Sequence, residues 1–444
     1  MPTPGLRATA RGRLLAHGRD DHGQVTGIRT AAQGRTVVAV SAGAFHSLAL
    51  TEDGDLLGAG PDGSRKHPDD YGQVAEILAA AERERADGGA ITRVAAGGLH
   101  SLALTDRGRL LAGGNDEFGQ VSRILDAARG RTVVAIAAGL CHSFAITDEG
   151  ELLAEGGCDG DDAVRGIKDA IAREEAGSGA GGGRTVRIAE VAAGAHFSLA
   201  LPERGRLLGS PSAPMPKGPD GILSGVAAGS DHSLAITDRG ELLAAGDDRY
   251  GQTRIQEEAH GRRVIAVAGG LAHSLAVTDQ GELLATGPGR SAQNGSGPRM
   301  DFGQVTDLLD AARDRRVVAV AAGTLHSLAI EGERDCGPLK AGEACLAFTA
   351  PPLCHLRVQS DSAFAGVEPA GVRKLPVRAG RSYEIVVTDE RGADHSGHVR
   401  FTAAGNGFAV DDAGSTLPDG LTHTPPHPVT GAITFLWTST TRRT

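Results

Sequence analysis

One phrase recurs through this sequence: an apolar alternation, a glycine turn and a second alternation, as in Val317-Val-Ala-Val-Ala-Ala-Gly-Thr-Leu-His-Ser-Leu-Ala-Ile330. It is written seven times, with turn glycines Gly43, Gly97, Gly139, Gly194, Gly229, Gly270 and Gly323. Six copies read Gly-x-x-His-Ser, with His46, His100, His142, His232, His273 and His326. The fourth, Gly194-Ala-His-Phe-Ser198, exchanges the histidine with its neighbour. A period of this kind fixes the architecture before any other reading. A second signature, Gly-x-Leu-Leu, follows at Gly54, Gly108, Gly150, Gly205, Gly240 and Gly281. Its remaining copy, Gly12-Arg-Leu-Leu15, has no first signature before it, and the phrase around His326 has no second one after it. The two orphans complete each other if the chain closes into a ring. Radial repetition leaves only short edges, and pairing both ends of the repeat in one blade locks such a ring. The expectation is an all-β, seven-bladed β-propeller over residues 12–334, closed by its N-terminal strands, after a lead-in at 1–11.

Within a blade, Val133-Val-Ala-Ile-Ala-Ala138 and Ser143-Phe-Ala-Ile-Thr147 alternate as strands, and Asp148-Glu-Gly150 supplies the hairpin turn. The Thr-Asp-x-Gly turn recurs at Asp106, Asp238 and Asp279, where Asp and Gly suit the backbone angles. Motif glycines are 35 to 55 residues apart, and the additions fall after a Gly-Gln pair, where the pattern becomes helical. Short inter-blade helices are predicted at 74–85, 121–129, 166–175 and 305–313, the first with Ile77, Leu78 and Ala81 on one face. Gly177–Gly183 reads as a linker, and the Pro-rich connection 211–219 carries no helix. The period stops near Asp335. Residues 335–444 then hold apolar runs such as Tyr383-Glu-Ile-Val-Val-Thr388 between Pro and Gly turns, which suggests a small, β-sandwich-like second domain.

Acidic residues outnumber basic ones by 55 to 45, for a net charge of −10, which argues against a nucleic-acid partner. No stretch is apolar enough to span a bilayer, and the N-terminus lacks the apolar run of a secretion signal, so a cytoplasmic protein is expected. Arg, Ala and Gly usage is of the kind common in GC-rich bacterial genomes. Five cysteines, an odd number, make a disulfide framework unexpected.

The His-Ser pairs look like hydrolase dyads, yet adjacent residues of a strand point to opposite faces. A histidine repeated in nearly every blade reads instead as structural, its imidazole bonding a neighbouring blade's backbone. Function is expected where blades differ, at the two places between the turn Gly and the His. These hold Phe45, Leu99, Leu140, Cys141, His196, Asp231, Leu271 and Leu325, a largely apolar ring at one mouth of the channel. Such a ring suits a protein contact, a small apolar ligand or plain packing. Asp231 and His196 fall in neighbouring blades and are the candidate acid–base pair. Cys336, Cys345, Cys354 and His355 lack the short spacings of a zinc site, and Gly179-Ala-Gly-Gly-Gly183 is followed by no Gly-Lys-Ser/Thr, so neither metal nor cofactor is assigned.

Gly-x-x-His-Ser-Leu-Ala-Leu-Thr-x-x-Gly followed by Tyr250-Gly-Gln252 or Phe118-Gly-Gln120 resembles the regulator-of-chromosome-condensation repeat over roughly residues 6–332. It departs where that family often places Trp before the outer-strand glycine: here stand Ala59, Gly113, Glu155, Ala245 and Thr286. Relatives include an exchange factor for a nuclear GTPase and bacterial propellers that inhibit β-lactamases. The resemblance thus implies a non-catalytic scaffold that presents a propeller face to a protein partner. Behaviour like the plant ultraviolet photoreceptor is excluded, because the single tryptophan, Trp437, lies outside the repeats. The alternative is an enzyme or binding protein for a small, largely apolar metabolite in the central funnel.

Overall fold

The computed structural model of the chain describes residues 12–61, 68–158, 163–177, 185–204, 206–216, 222–288, 302–313 and 315–332, and beyond these the strands between 343 and 437 with residues 411 and 415–417. The lead-in 1–11 and the glycine run from 178 to 183 lie outside the described residues. The chain divides into two compact units, Met1–Gly332 and Glu333–Thr444.

The N-terminal unit is built from antiparallel triplets of strands. The chain first lays down β1 (Gly12–Gly18), then the first triplet β2–β3–β4 (Val37–Ala42, Ser47–Thr51, Leu56–Ala59). The second is β5–β6–β7 (Ile91–Ala96, His100–Thr105, Leu110–Gly114) and the third β8–β9–β10 (Val133–Ala138, His142–Thr147, Leu152–Gly156). The fourth is β11–β12–β13 (Ile188–Ala193, Ser198–Pro202, Leu208–Gly209) and the fifth β14–β15–β16 (Leu223–Ala228, His232–Thr237, Leu242–Gly246). The sixth, β17–β18–β19 (Val264–Gly269, Ser274–Thr278, Leu283–Thr286), precedes β20 (Val317–Ala322) and β21 (His326–Gly332). The last two strands take β1 as their third: β1 pairs with β21 from Gly12 opposite Gly332 to Gly18 opposite His326. A single register point, Gly12 with Val37, joins this seventh triplet to the first.

Each triplet opens with the same irregularity. The register slips between Val37 and Ala39, Ile91 and Arg93, Val133 and Ala135, and at the equivalent places of the other four. One extra residue in the first strand increases its local twist. The first strands contact one another in succession, β2 with β5, β5 with β8 and onward to β20, which contacts β2. The middle strands are buried throughout, as their unbroken apolar runs predict. The core is shared between neighbours: Leu48 and Leu50 of β3 pack with Ala103 of β6 and Leu111 of β7.

Helices seal the outer seams. α1 (Thr26–Ala31) contacts β1 and β4, α2 (Ala75–Ala86) contacts β4 and β7, and α3 (Ser122–Ala128) contacts β7 and β10. α4 (Ala163–Gly177) contacts β10 and β13, α5 (Ile255–Glu258) contacts β16 and β19, and α6 (Thr306–Ala312) contacts β19 and β1. Each supplies one fully buried anchor, such as Ile28, Ile77, Ile124, Ile167, Ile255 or Leu308. An aliphatic side chain fully removed from water contributes about 1.5–3 kcal/mol, which is what holds these short helices in place. α1 and α5 are additional to the four helices the sequence predicts, although Gly23-Gln24-Val25 announces the first as Gly-Gln announces the others. No helix covers the seam between β13 and β16 among the described residues, in keeping with the proline run there.

The C-terminal unit has two sheets. One orders β25 (Val372–Pro376), β22 (Glu343–Thr349), β30 (Ala432–Trp437) and β29 (Leu421–His423), with β22 and β30 parallel. The other orders β24 (Ala363–Val367), β23 (His355–Ser360), β26 (Ser382–Thr388), β27 (Asp394–Ala404) and β28 (Gly407–Val410). Tyr383, Ile385 and Val387 alternate inward on β26, and the Tyr383 ring meets Phe401 edge-on with centroids 5.5 Å apart. The side chains weighed as zinc ligands between 336 and 355 fall outside those described; among the described residues no three metal-binding side chains gather.

Candidate functional site

The repeated Gly-x-x-His turn is a joint between triplets. Backbone bonds run from Ala44 N to Gly97 O (3.2 Å), Gly98 N to Gly139 O (2.9 Å), Ser230 N to Gly270 O (3.0 Å) and Thr324 N to Gly43 O (3.2 Å), the last joining the seventh triplet to the first. Such an approach needs glycine for lack of room. A Cβ on Gly323 would lie 2.5 Å from Gly43 O and 2.5 Å from His326 Cε1.

The six histidines are fully buried, and five of them reach the next triplet. His46 Nε2 shares a hydrogen bond with Ser101 Oγ, His100 with Ser143, His232 with Ser274, His273 with Ser327 and His326 with Ser47, all at 2.9 Å. The partner is therefore a neighbouring serine hydroxyl and not the backbone that the sequence suggested. Ser143 donates its hydroxyl proton to Gln120 O at 2.7 Å, so the His100 imidazole must donate from Nε2. Burial, the largest cause, holds His46, His100 and His273 down to about 3 and His232 and His326 to about 4. They are neutral struts. The belt changes at the fourth triplet, where Phe197 fills the histidine's place; Ser198 donates to Ala163 O at 2.6 Å and Ser233 donates to Pro214 O.

The variable turn positions do not form an even apolar ring. Leu140 is 41 % exposed, and His196 and Asp231 are exposed too. Phe45, Leu99 and Leu271 are half-buried, whereas Cys141 and Leu325 are buried. Ala195 N bonds Ser230 O at 3.4 Å, so the turns bearing His196 and Asp231 are neighbours. Among the described residues no hydrogen bond or ion pair joins those two side chains; Asp231 Oδ2 accepts from Ser230 Oγ at 3.0 Å. Cys141 is bonded to Cys158 as a disulfide. The expectation drawn from the odd cysteine count is corrected here: an odd number argues against a framework, but it leaves room for one local bridge.

A second ring of loops borders these turns and escaped the sequence reading as a site. The segment after each outer strand bonds back to the turn: Arg19 N to Leu325 O, Asn115 N to Leu99 O, and Asp247 N to Asp231 O. Five of these segments carry an aromatic residue before Gly-Gln: His22, Tyr71, Phe118, Tyr250 and Phe302. The glutamine is buried, and its Oε1 accepts from the aromatic residue's own N–H at 2.8–3.0 Å. The glycine between them is left-handed, at φ +79° for Gly119, a conformation that L side chains rarely adopt. An aspartate earlier in the loop fixes its end: Asp116 Oδ1 accepts from Val121 N and Ser122 N, both at 2.9 Å. The result is a rigid loop whose aromatic ring remains partly open to solvent, with Tyr71 37 % exposed.

Two further features lie outside these turns and loops. Arg93 of β5 and Glu190 of β11 occupy the position held by Ala or Gly in the other first strands. Burial lowers the Arg93 pKa and the Glu190 charge raises it. A cavity of about 490 Å³ lies instead beside β1, lined by Arg13, His17, Arg29 and Arg315 with apolar Leu14 and Ala311.

Three segments, 37–65, 91–120 and 224–252, match the regulator of chromosome condensation (RCC1) repeat. No curated protein matches the chain by sequence. Among solved structures the chain is similar to Prp20p of Saccharomyces cerevisiae, described with its binding properties to Gsp1p and histones: identity is 18 %, coverage 74 % of this chain and 93 % of that one, and TM-score 0.54. The same yeast protein bound to Kap60 matches with the same identity and TM-score. Human WBSCR16 matches at 17 % identity and TM-score 0.50, over 72 % of this chain and 99 % of that one. At these identities the likeness is one of fold.

Proposed function

We propose that this chain, a carrier of RCC1 repeats, is a seven-bladed β-propeller that acts as a non-catalytic scaffold and offers the face of its Gly-x-x-His turns to a protein partner. The triplets are the blades. Ring closure is supported by the pairing of β1 with β21 and by the bond from Thr324 N to Gly43 O. Residues 335–444 form the second, sandwich-like domain.

One observation carries the functional reading. The positions that repeat are buried and consumed by the joints, whereas the turn positions that differ hold the exposed Leu140, His196 and Asp231. Variation placed on the solvent side of a rigid frame is what recognition uses. The yeast relative's binding to Gsp1p, histones and Kap60 shows that such a fold serves protein partners, although a fold does not transmit their identity. The enzyme reading has less support. Asp231 and His196 are not bonded to each other among the described residues, and the 490 Å³ cavity lies beside β1, away from them.

No helix among the described residues is long and apolar enough to cross a membrane. The cytoplasmic placement must accommodate the Cys141–Cys158 bridge, a bond that oxidising compartments favour. The scaffold reading is tested by native mass spectrometry of protein captured from its source lysate, beside Leu140→Asp. A stoichiometric protein partner lost in the variant at unchanged melting temperature is expected. A retained small molecule, with no protein and no effect of the variant, would overturn the reading.

A further inference from the structure

The N-terminal unit spends its aromatic residues unevenly. Phe144 and Phe197 are buried, while Phe45, Tyr71, Phe118, Tyr250 and Phe302 all stand half-buried or exposed on the turn face or its bordering loops. A chain with only 3 % aromatic residues thus leaves most of those described in this unit within reach of solvent. Aromatic side chains partly open to solvent on rigid backbone supply large contact area at low entropic cost.

Acidic residues accompany them. Asp69 and Asp70 precede Tyr71, Asp116 and Glu117 precede Phe118, and Asp247 and Asp248 precede Tyr250. The loops are not purely acidic: Arg249 Nε pairs with Asp247 at 2.9 Å, and Arg254 Nε with Asp248 at 3.5 Å. At the Phe302 loop the molecule already places a guanidinium against one of these rings. The guanidinium of Arg19, from the adjoining loop, sits 5.7 Å from the Phe302 ring centroid while its Nε donates to Asp21 at 2.5 Å. The ring comes from the Phe302 loop and the carboxylate from the arginine's own loop, two residues along. Guanidinium groups favour this double contact because they stack on rings and fork onto carboxylates.

Resting on the scaffold reading, we propose that this acidic rim docks an arginine-bearing segment of the protein partner, whose guanidinium groups stack on the rings of Tyr71 and Phe118 as Arg19 lies against that of Phe302. These two places lie in neighbouring loops, after the first and second triplets, so one extended segment can visit both. The partner is recognised by charge opposite to the rim's and by planar stacking, which an ammonium group supplies less well.

The test is fluorescence anisotropy of a short labelled Arg-Gly repeat peptide against its Lys-Gly and Glu-Gly counterparts, at low and physiological salt. The Arg-Gly peptide is expected to bind several-fold more tightly than Lys-Gly, with no binding of Glu-Gly. Tyr71→Ala with Phe118→Ala should weaken it about tenfold, an interface hot-spot effect, while Tyr71→Phe retains it. Glu117→Gln, at an exposed position of the same loop, should weaken it at unchanged melting temperature. No Arg-Gly binding at low salt, or equal Arg-Gly and Lys-Gly affinities untouched by the double variant, overturns the proposal. If the native partner is then still released by Leu140→Asp, the scaffold reading stands and the arginine rim alone falls.

Discussion

Acid should dismantle the histidine belt before it reaches any carboxylate. His46, His100, His232, His273 and His326 are held neutral in the fold, with values of about 3 to 4 against an ordinary 6.5, chiefly by burial. The unfolded chain takes up protons below pH 6.5 and the folded one does not. Stability is therefore complete above that value and falls as pH drops toward 4. Each histidine loses on the order of 2 kcal/mol by pH 5, or roughly 10 kcal/mol for the five, against a typical total of about 5–15 kcal/mol. The shifted carboxylates, Asp116, Asp247 and Asp248, lie below their ordinary 3.8 and lose their contribution only at lower pH, so the windows separate. Urea unfolding followed by circular dichroism at pH 7.5, 6 and 5 should show a midpoint that falls steeply with an unchanged slope. His46→Gln should flatten the fall by one proton's share. A midpoint that holds between pH 7.5 and 5 would falsify the account of the belt as buried neutral struts.

Other outcomes follow from single contacts. Gly323→Ala should destabilise by about 2–4 kcal/mol in thermal or urea unfolding, since the new methyl meets both Gly43 O and the His326 ring. Glu190→Gln should cost about 1–3 kcal/mol by leaving the half-buried Arg93 without its opposing charge, and Glu190→Gln with Arg93→Met should recover much of it. A thiol count in denaturant should find two fewer reactive cysteines without reductant than with it; equal counts would remove the Cys141–Cys158 bridge. Ile77→Ala should lower stability by about 2–5 kcal/mol, because α2 keeps few other fully buried anchors.

The repeat was legible because its constraint is local and sevenfold. Glycine at the joint, histidine beyond it and Gly-x-Leu-Leu after the hairpin each recur at fixed offsets, and the unmatched pair at Gly12 and His326 pointed to the pairing of β1 with β21. What escaped depended on contacts between triplets. That His100 meets Ser143 and not a carbonyl is invisible in a sequence where Ser follows His in six of the seven copies, since the bond crosses to the next triplet. The Cys141–Cys158 bridge needed the return of β10 beside the turn, shown by Gly157 N bonding Cys141 O. The rim was half visible. Gly-Gln is visible as a repeat mark, but its role in holding an aromatic residue outward rests on a buried carboxamide that no spacing reveals.

Because β21 waits for β1, the first described strand of the chain finds its longest partner some three hundred residues later. During synthesis from the N-terminus, β1 emerges early with nothing to pair its outward edge until residues 326–332 have left the ribosome. Every other triplet can form as its own short run of residues appears, such as Val37–Ala59; this one cannot. Completion of the N-terminal unit is therefore a late event with a large separation between the partners, and the chain carries two open strand edges until it happens. A truncation anywhere before Gly332 should leave those edges exposed to other chains, making premature termination a source of aggregation and not of a smaller folded product.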